Sequence, residues 1–181
     1  RQAGFAAGLP ESIPASTVNK VCGSGMRTVM MAQDMIRAGS AELVVAGGME
    51  SMTNAPYLSP ATRGGARLGH QTLQGHMFLD GLEDAYDRGK LMGNFAEDCA
   101  SRYQFSRAAQ DEFALRSLAR AVAAQKDGAF EGEITPLTIR TRKGDVAVEV
   151  DEQPGKARPE KIPQLKPAFV ADGTVTAANA S

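Results

Sequence analysis

The feature that most restricts the fold of this chain is a strand–helix–strand pattern near its beginning. Residues 15–21 alternate β-branched and polar side chains and predict a strand, and residues 42–46 (Glu-Leu-Val-Val-Ala) predict a short buried strand. Between them a helix is predicted over residues 24–38, with Gly39 ending it. The side chains on one face of this helix are Met26, Val29, Met30 and Gln33. This spacing predicts a βαβ crossover in an α/β protein, and therefore a parallel sheet covered by helices.

The composition excludes several classes of protein. The chain has 181 residues, of which 43% are apolar, so it can bury an ordinary core and is neither disordered nor collagen-like. A formal net charge of −1 argues against dedicated nucleic-acid binding. No apolar run approaches the roughly 18 residues of a membrane span, and the first residues do not resemble a signal peptide. Two distant cysteines predict no disulfide framework. We therefore expect a soluble, cytoplasmic protein with no membrane or nucleic-acid partner.

Two helices are predicted in the second half of the chain. The first has an apolar stripe formed by Met92, Phe95, Cys99 and Tyr103. We therefore expect Cys99 to be a core residue. The second helix begins after Ser106, a plausible N-cap, and ends at Gly128. Its side chains expected to face inward are Phe113, Leu118, Ala121 and Val122.

The segments around these helices predict loops and a β section. Residues 53–76 are rich in Gly, Pro, Ser and Arg, which predicts a long functional or interfacial loop. Residues 153–166 are rich in Pro and Lys and predict an extended surface loop. The β section is predicted from residues 134–139, a turn at 143–145, and the alternating Val146, Val148 and Val150.

These changes in character divide the chain into three parts. Residues 1–51 are predicted to belong to the α/β core. Residues 52–172 are predicted to form an inserted α+β domain, and residues 173–181 to return to the core as the beginning of a strand.

The segment with the clearest chemical potential is residues 19–26, Asn-Lys-Val-Cys-Gly-Ser-Gly-Met. A cysteine at a strand end, followed by small residues and a helix start, has the arrangement of a nucleophile elbow. We expect Gly23 and Gly25 to let the backbone turn sharply and leave the Cys22 sulfur uncovered. Backbone N–H groups at the positive helix end favour thiolate over thiol. The motif alone leaves an inert core cysteine open as the alternative, because free cysteines are among the most buried residues.

Five blocks in order resemble the thiolase family, the acetyl-CoA acetyltransferases and 3-ketoacyl-CoA thiolases. Residues 18–27 (Val-Asn-Lys-Val-Cys-Gly-Ser-Gly-Met-Arg) and residues 45–52 (Val-Ala-Gly-Gly-Met-Glu-Ser-Met) are the two long matches. The other blocks are residues 91–97, 106–128 and 165–181. The resemblance implies an incomplete thiolase N-terminal domain, with a layered α/β/α core and an inserted loop domain that holds CoA.

The resemblance implies an acyl-CoA acyltransferase in which Cys22 accepts the acyl group as a thioester and its backbone N–H helps to form an oxyanion hole. The group then passes to the carbanion of acetyl-CoA in a Claisen condensation, or the steps run in reverse as CoA cleaves a 3-ketoacyl-CoA. Coenzyme A and acyl-CoA are then substrates in fatty acid metabolism, with no tightly bound cofactor. No residues have metal-ligand spacing. The positions that match pantetheine contacts are Leu82, Met92, Phe169, Ala177 and Ser181.

Two further features of the resemblance concern assembly and substrate. Residues 63–65 (Arg-Gly-Gly) lie where thiolases build tetramer contacts, which implies a homodimer or homotetramer. Lys156 and Lys161 are candidates for the nucleotide phosphates of CoA, although a solvated surface loop explains the same lysines. Leu91 stands where short-chain biosynthetic thiolases have His, which disfavours strict acetoacetyl-CoA synthesis.

Thiolase chemistry also needs a histidine to take the Cys22 proton and a second cysteine to move the α-proton of the incoming acetyl group. The family carries these in Gly-His-Pro and Cys-x-Gly motifs of its C-terminal half, and neither motif is in this sequence. The only histidines, His70 and His76, are expected to be surface loop residues. We therefore expect this chain to be an N-terminal half without its first strand, and to be catalytically incomplete alone.

Two other functions remain open at this point. The first is a non-catalytic chain that binds CoA or oligomerises through the loop domain. The second is a cysteine hydrolase in which His70 or His76 serves Cys22 as base, an idea weakened because the sequence identifies no Asn or Asp to orient the imidazole.

Overall fold

The computed structural model describes residues 1–180 as two compact units, residues 1–89 and the residues from 90 onward. The first unit contains helices α1 (Gln2–Ala6) and α2 (Ser24–Arg37), strands β1 (Tyr57–Leu58) and β2 (Gln74–Gly75), and single turns of 3₁₀- or π-helix at Met52–Asn54, Pro60–Gly64 and Phe78–Leu82. The second unit contains helices α3 (Met92–Arg102), α4 (Arg107–Lys126) and α5 (Glu152–Lys156), strands β3 (Leu137–Thr141) and β4 (Gly144–Val148), and a 3₁₀ turn at Pro159–Gln164. The division at residues 51 and 172 stays a prediction.

Helix α2 forms where the sequence predicts it. Gly39 follows its last turn with a φ of +71°, in the left-handed region that glycine adopts without steric cost. The Gly39 N–H donates to the Ile36 carbonyl at 3.1 Å, which satisfies part of the helix end. Ala32 is buried, whereas Met26 and Val29 on the predicted apolar face are 69% and 56% exposed.

The two strands predicted on either side of α2 are not formed, and this part of the prediction is wrong. Residues 15–21 and 42–46 lie outside every strand, and the strand pairs of the described residues, β1 with β2 and β3 with β4, are antiparallel. A buried strand needs neighbours for its backbone hydrogen bonds. No described residue pairs with the 42–46 segment, in which Leu43 and Val45 are each 86% exposed.

Helix α4 has the predicted ends. The Ser106 hydroxyl caps its first turn, and Gly128 follows its last turn in the left-handed region. The half-buried members of the predicted inward face are Leu118 and Ala121. The prediction is wrong for Phe113 and Val122, which are 62% and 45% exposed, because α4 packs through the neighbouring face that carries Asp111.

Cys99 is exposed and is not the core residue that the sequence predicted. The apolar stripe to which it belongs faces solvent, and Met92 in this stripe is 47% exposed. Helix α3 packs instead through a face of small residues. Ala100 on this face is buried, and a Cβ at Gly93 would overlap the Phe169 ring. The spacing of apolar residues therefore predicted the helix correctly, but the face that it predicted to be buried is exposed.

The predicted β section is confirmed as the β3–β4 hairpin, in which Leu137 pairs with Val148 and Thr141 with Gly144. Its turn lies at residues 142–143, slightly before the predicted position. The prediction of an extended loop over residues 153–166 is wrong. The Asp151 side chain accepts the Gln153 N–H at 3.0 Å and starts α5, and the following 3₁₀ turn buries Ile162.

Candidate active site

Cys22 lies in a tight turn directly before α2, and its side chain is exposed. The Gly23 N–H donates to the Lys20 carbonyl at 3.0 Å, and the Ser24 N–H donates to the Val21 carbonyl at 3.2 Å. These two bonds close the chain around the cysteine. An exposed thiol at such a turn is open to a substrate from outside, which an inert core cysteine is not.

The first turn of α2 adds an electrostatic feature beside this thiol. The N-cap residue, Gly23, has no side chain to accept a hydrogen bond. Within residues 1–180, no group accepts the backbone N–H of Gly25 or Met26. Unsatisfied N–H groups at a helix N-terminus stabilise negative charge nearby. The arrangement therefore favours an oxyanion formed next to Cys22.

The sharp bend before Cys22 is made by Val21. The expectation that Gly23 and Gly25 make this bend is wrong. Val21 has a φ of +47°, which is a strained conformation for a β-branched residue. Gly23 has a φ of −87°, which any residue adopts, and Gly25 lies within the helix. Backbone freedom is therefore not what these two glycines supply.

Gly25 serves instead in a close contact between the two segments that carry the family resemblance. A Cβ on Gly48 would lie 3.3 Å from the Gly25 Cα, so a side chain at position 48 would be tightly crowded by the α2 backbone. The Thr28 hydroxyl donates to the Gly25 carbonyl at 2.7 Å and lies 3.2 Å from the Gly47 carbonyl oxygen. These contacts fix the first turn of α2, and with it the turn of Cys22, against residues 47–48.

The predicted pantetheine contacts fall in both units. In the second unit, the half-buried Phe169 ring lies against Gly93, the residue that follows Met92, so these two predicted positions are brought close together. Ala177 is exposed in the same unit. In the first unit, Leu82 is half-buried at the end of the π-turn. Ser181 lies outside the described residues.

The predicted phosphate contacts are both exposed lysines. Lys156, at the end of α5, pairs with Glu152 at 2.8 Å. Both side chains of this pair are well exposed, so the pair is worth little to stability and is easily given up. Lys161 lies in the 3₁₀ turn that follows. Both cations are therefore available to an anionic group from solvent.

Glu97 fastens the segment that contains Ala177 to α3. Its carboxylate accepts the Thr174 N–H at 2.9 Å and the Val175 N–H at 2.8 Å, and it also lies 3.2 Å from the Thr174 hydroxyl. Burial raises the pKa of Glu97, but the hydrogen bonds from Thr174 and Val175 together outweigh it, and the pKa lies below its ordinary value of 4.5. The ionised carboxylate is thus the form that holds residues 174–175.

This clamp predicts a pH dependence of stability. Because the folded pKa of Glu97 lies below its unfolded value, its contribution is complete above the unfolded pKa and is lost as the pH falls through the folded pKa. Glu97→Gln in the full-length protein is expected to cost about 1–2 kcal/mol at neutral pH. In urea unfolding, the difference from the wild type should shrink below about pH 4.5.

The matched control for this prediction is Glu112→Gln, which changes an exposed carboxylate on α4. We expect the free energy of unfolding of the control to stay within about 0.5 kcal/mol of the wild type. A Glu97→Gln difference that stays constant down to about pH 3 would contradict the clamp, since the carboxylate would then not be the form that binds.

A second polar group holds the same segment to α4. Asp111 is buried, and its carboxylate lies 2.7 Å from Arg107 Nε. The Asn179 side-chain amide donates to Asp111 Oδ1 at 2.9 Å, and Asn179 Oδ1 accepts the Thr176 N–H at 2.7 Å. Arg107 also donates to two backbone carbonyls of the 3₁₀ turn region, Ile162 and Leu165. Residues 162–179 are therefore positioned by charged side chains of the two helices.

Neither histidine is bonded to Cys22 in the part of the chain that the structure describes. His70 is exposed, as predicted. His76 is only partly exposed, and its Nε2 lies 2.9 Å from Asp80 Oδ2, an orienting partner that the sequence analysis had not identified. No hydrogen bond joins either imidazole to the Cys22 sulfur, so the structure gives the hydrolase hypothesis no contact on which to build.

Two further findings concern other kinds of site. Within residues 1–180, no three His, Cys, Asp or Glu side chains are grouped to hold a metal ion, and no described helix combines the length and apolarity needed to cross a bilayer. A cavity of about 470 Å³ in the first unit is lined by Gln74, Gly75, Phe78, Leu79, Glu83 and Arg88. None of these lining residues was predicted as a CoA contact.

Comparison with known proteins identifies the family. The sequence matches the thiolase N-terminal domain over residues 1–181, and the chain belongs to the thiolase family. It is 51% identical to an acetyl-CoA acetyltransferase of Cupriavidus necator and 47% identical to one of Saccharomyces cerevisiae, covering 100% of this chain and 46% of each relative. The crystal structure of the Bacillus anthracis acetyl-CoA acetyltransferase superposes with a TM-score of 0.92 at 40% identity, over 99% of this chain and 45% of that chain.

These comparisons confirm the predicted family and the predicted incomplete α/β thiolase N-terminal domain. The chain spans a little under half the length of the relatives it matches. The residues that sequence reasoning missed are Val21, Glu97, Asp111 and Asn179. The usable signals were weak: Glu97 ends one of the five blocks, and Asn179 lies in another, but nothing in the spacing shows that Glu97 and Asn179 fasten the same segment.

Proposed function

We propose that the full-length protein containing this chain is a thiolase-type acyl-CoA acyltransferase with Cys22 as its acyl acceptor. The observation that carries the proposal is the exposed Cys22 thiol at the unsatisfied N-terminus of α2, in a chain of the thiolase family. Relatives named acetyl-CoA acetyltransferase support acetyl-CoA as one substrate. The proposed reaction is the Claisen condensation of acetyl-CoA or the thiolytic cleavage of a 3-ketoacyl-CoA.

In the first half of the reaction, the Cys22 thiolate attacks the thioester carbonyl carbon and forms a new carbon–sulfur bond. The carbonyl electrons move to oxygen, and backbone N–H donors at the start of α2 stabilise this oxyanion. When the tetrahedral species collapses, the bond to the CoA sulfur breaks and CoA leaves as a thiolate, which takes up the proton that Cys22 lost. The products are acyl-Cys22 and CoA.

In the second half, the carbanion of acetyl-CoA attacks the acyl-Cys22 carbonyl, and the Cys22 thiolate is the leaving group. The thiolysis direction reverses these steps. The carbanion forms when a base removes the acetyl α-proton, and that proton finally returns to the Cys22 thiolate. The group that takes the Cys22 proton and the group that moves the acetyl α-proton have no candidate in this sequence, which lacks both the Gly-His-Pro and the Cys-x-Gly motif. We propose that both belong to the remainder of the full-length protein, and that this chain alone is inactive.

For substrate binding, we propose that the domain of residues 52–172 holds CoA, with Leu82, Met92 and Phe169 beside the pantetheine. Ala177, in the segment that Glu97 and Asp111 fasten, is proposed to meet it near the thioester, and the same contact is proposed for Ser181 from the family resemblance. Lys156 and Lys161 are proposed to meet the phosphates, supported by their exposure and the weakness of the Lys156 ion pair. We further propose a cytoplasmic homodimer or homotetramer.

The test is acylation of Cys22 in the full-length protein. After brief incubation with acetyl-CoA and acid quenching, we expect peptide mass spectrometry to find one acetyl group on Cys22, which added CoA removes. Cys99→Ser should be labelled as the wild type is, because Cys99 is also a free exposed thiol but lies on α3. Acetyl groups only on other residues would overturn the proposal.

The same experiment separates the alternatives. Saturable CoA binding with no thiol acylation would favour a non-catalytic CoA-binding protein. Release of acetate from acyl-Cys22 into water, at a rate that His76→Ala abolishes, would favour the hydrolase.

A further inference from the structure

Val21 is strained without being packed into place. Its φ of +47° puts a β-branched side chain in the left-handed region, at a cost of the order of 1–3 kcal/mol. Such a conformation persists only where the surroundings over-determine it. The Val21 side chain is 56% exposed, so apolar packing does not supply that constraint. Polar contacts to its backbone must therefore do so.

Two side chains make those contacts. Asn19 Oδ1 accepts the Val21 N–H at 2.9 Å. The Ser24 hydroxyl accepts the Lys20 N–H at 2.8 Å and donates to the Val21 carbonyl at 2.7 Å. The peptide groups on both sides of Val21 are therefore held by neighbouring side chains. Ser24 makes the tighter clamp, because one hydroxyl joins two peptide units of the turn.

We propose that Ser24 is a positioning residue for the nucleophile, assisted by Asn19. Cys22 follows Val21 directly, so relaxation of Val21 to an ordinary φ requires a compensating change at residues 22–23, which would reorient the Cys22 side chain relative to the first turn of α2. The Ser24 N–H also donates to the Val21 carbonyl at 3.2 Å, but only the Ser24 hydroxyl joins that carbonyl to the Lys20 N–H across the strained residue, and this link opposes the relaxation. The inference rests on the proposed function, because it assigns Ser24 a role in acyl transfer through Cys22.

The first test is Ser24→Ala in the full-length protein. We expect kcat for acyl transfer to fall about 10- to 100-fold, because misplacing a reacting atom by about 1 Å has effects of this size. KM should change less than about twofold, since Ser24 touches no substrate group in the proposed site. Ser24→Thr, which keeps the hydroxyl, should retain most of the rate. The control Ser40→Ala removes an exposed hydroxyl after α2 and should leave kcat unchanged.

The second test removes the strain itself. Glycine adopts the left-handed region without steric cost, so Val21→Gly should make the clamp unnecessary. The double variant Val21→Gly/Ser24→Ala should therefore recover to within about threefold of Val21→Gly alone. If Ser24 acts only through general stability, the two effects add and no recovery is seen, which overturns the inference.

The outcomes also separate this inference from the proposed function. If the wild type forms acetyl-Cys22 but Ser24→Ala keeps the wild-type kcat, the positioning role is wrong and the acyltransferase proposal stands. If the wild type forms no acyl-Cys22, the proposed function fails. The alkylation rate of Cys22 by iodoacetamide then tests the turn independently, and it should be lower in Ser24→Ala and restored in the double variant.

Discussion

Replacing Cys22 by serine is expected to lower kcat/KM for acyl transfer by at least about 1,000-fold in the full-length protein. An alcohol is a far weaker acid and a poorer nucleophile than a thiol, so the variant lacks an effective attacking group. The serine ester, if formed, is also a poorer acyl donor than a thioester. The second half of the reaction is therefore slowed as well. Steady-state kinetics with acetyl-CoA measures the loss.

Coenzyme A affinity should stay within a few-fold of the wild type in Cys22→Ser, because the substitution changes one atom at the proposed reaction centre. Isothermal titration with CoA checks this. Cys99→Ser is the matched control, since it makes the same change in the other free exposed cysteine and should keep turnover within about twofold. Turnover retained in Cys22→Ser would disprove the nucleophile assignment.

Local chemistry made the helices of this chain predictable. Gly39 and Gly128 follow the last turns of α2 and α4 in the left-handed region, and the Ser106 side chain caps the first turn of α4. These residues satisfy helix ends through their own backbone or side chain. The β3–β4 hairpin was predictable for a similar reason, since its strands are joined by a short turn and pair with each other. Each of these elements is specified within its own segment.

Elements that depend on distant partners were not predictable to the same degree. Residues 42–46 have the apolar pattern of a buried strand, yet no described residue pairs with them, and strand formation requires such a partner. The stripe containing Cys99 is amphipathic by spacing, but α3 packs through small residues, where Gly93 admits the Phe169 ring. Periodicity identifies a helix, whereas shape complementarity decides which face is covered.

The candidate site likewise contains residues that the sequence predicts and residues that it does not. Cys22 was singled out because a cysteine between a predicted strand and a helix has a recognisable chemistry, and its role as acyl acceptor stays a prediction from the family resemblance. The strain at Val21 could not be found, since valine is a common strand residue and nothing in its identity predicts a positive φ. Asp111 and Asn179 are distant in sequence, so their contact appears only once the chain is folded.

Asp111 is the residue whose loss should most affect the proposed CoA-binding segment. It is buried, and both of its oxygens are used: one lies beside Arg107 at 2.7 Å and the other accepts the Asn179 amide at 2.9 Å. Truncation of the Asp111 side chain would leave the Arg107 guanidinium without its carboxylate partner, and the Arg107 side chain is only 25% exposed. It would also free Asn179, which holds the Thr176 N–H at 2.7 Å. A substitution of Asp111 therefore leaves the Arg107 charge uncompensated and also releases the segment that Asn179 holds.

We therefore expect Asp111→Ala to destabilise the full-length protein by about 3 kcal/mol, at the lower end of values for a broken buried ion pair, because Arg107 keeps its bonds to backbone carbonyls. The midpoint of urea unfolding measures the loss, and protease cleavage within residues 162–179 should accelerate in parallel. Glu112→Ala, at the next position of α4 but exposed, is the control and should stay within about 0.5 kcal/mol of the wild type. Of the two substituted residues, Asp111 contacts Arg107 and Asn179, whereas Glu112 is the exposed control. Equal stabilities for the two variants would therefore show that the Arg107–Asp111–Asn179 group does not hold residues 162–179.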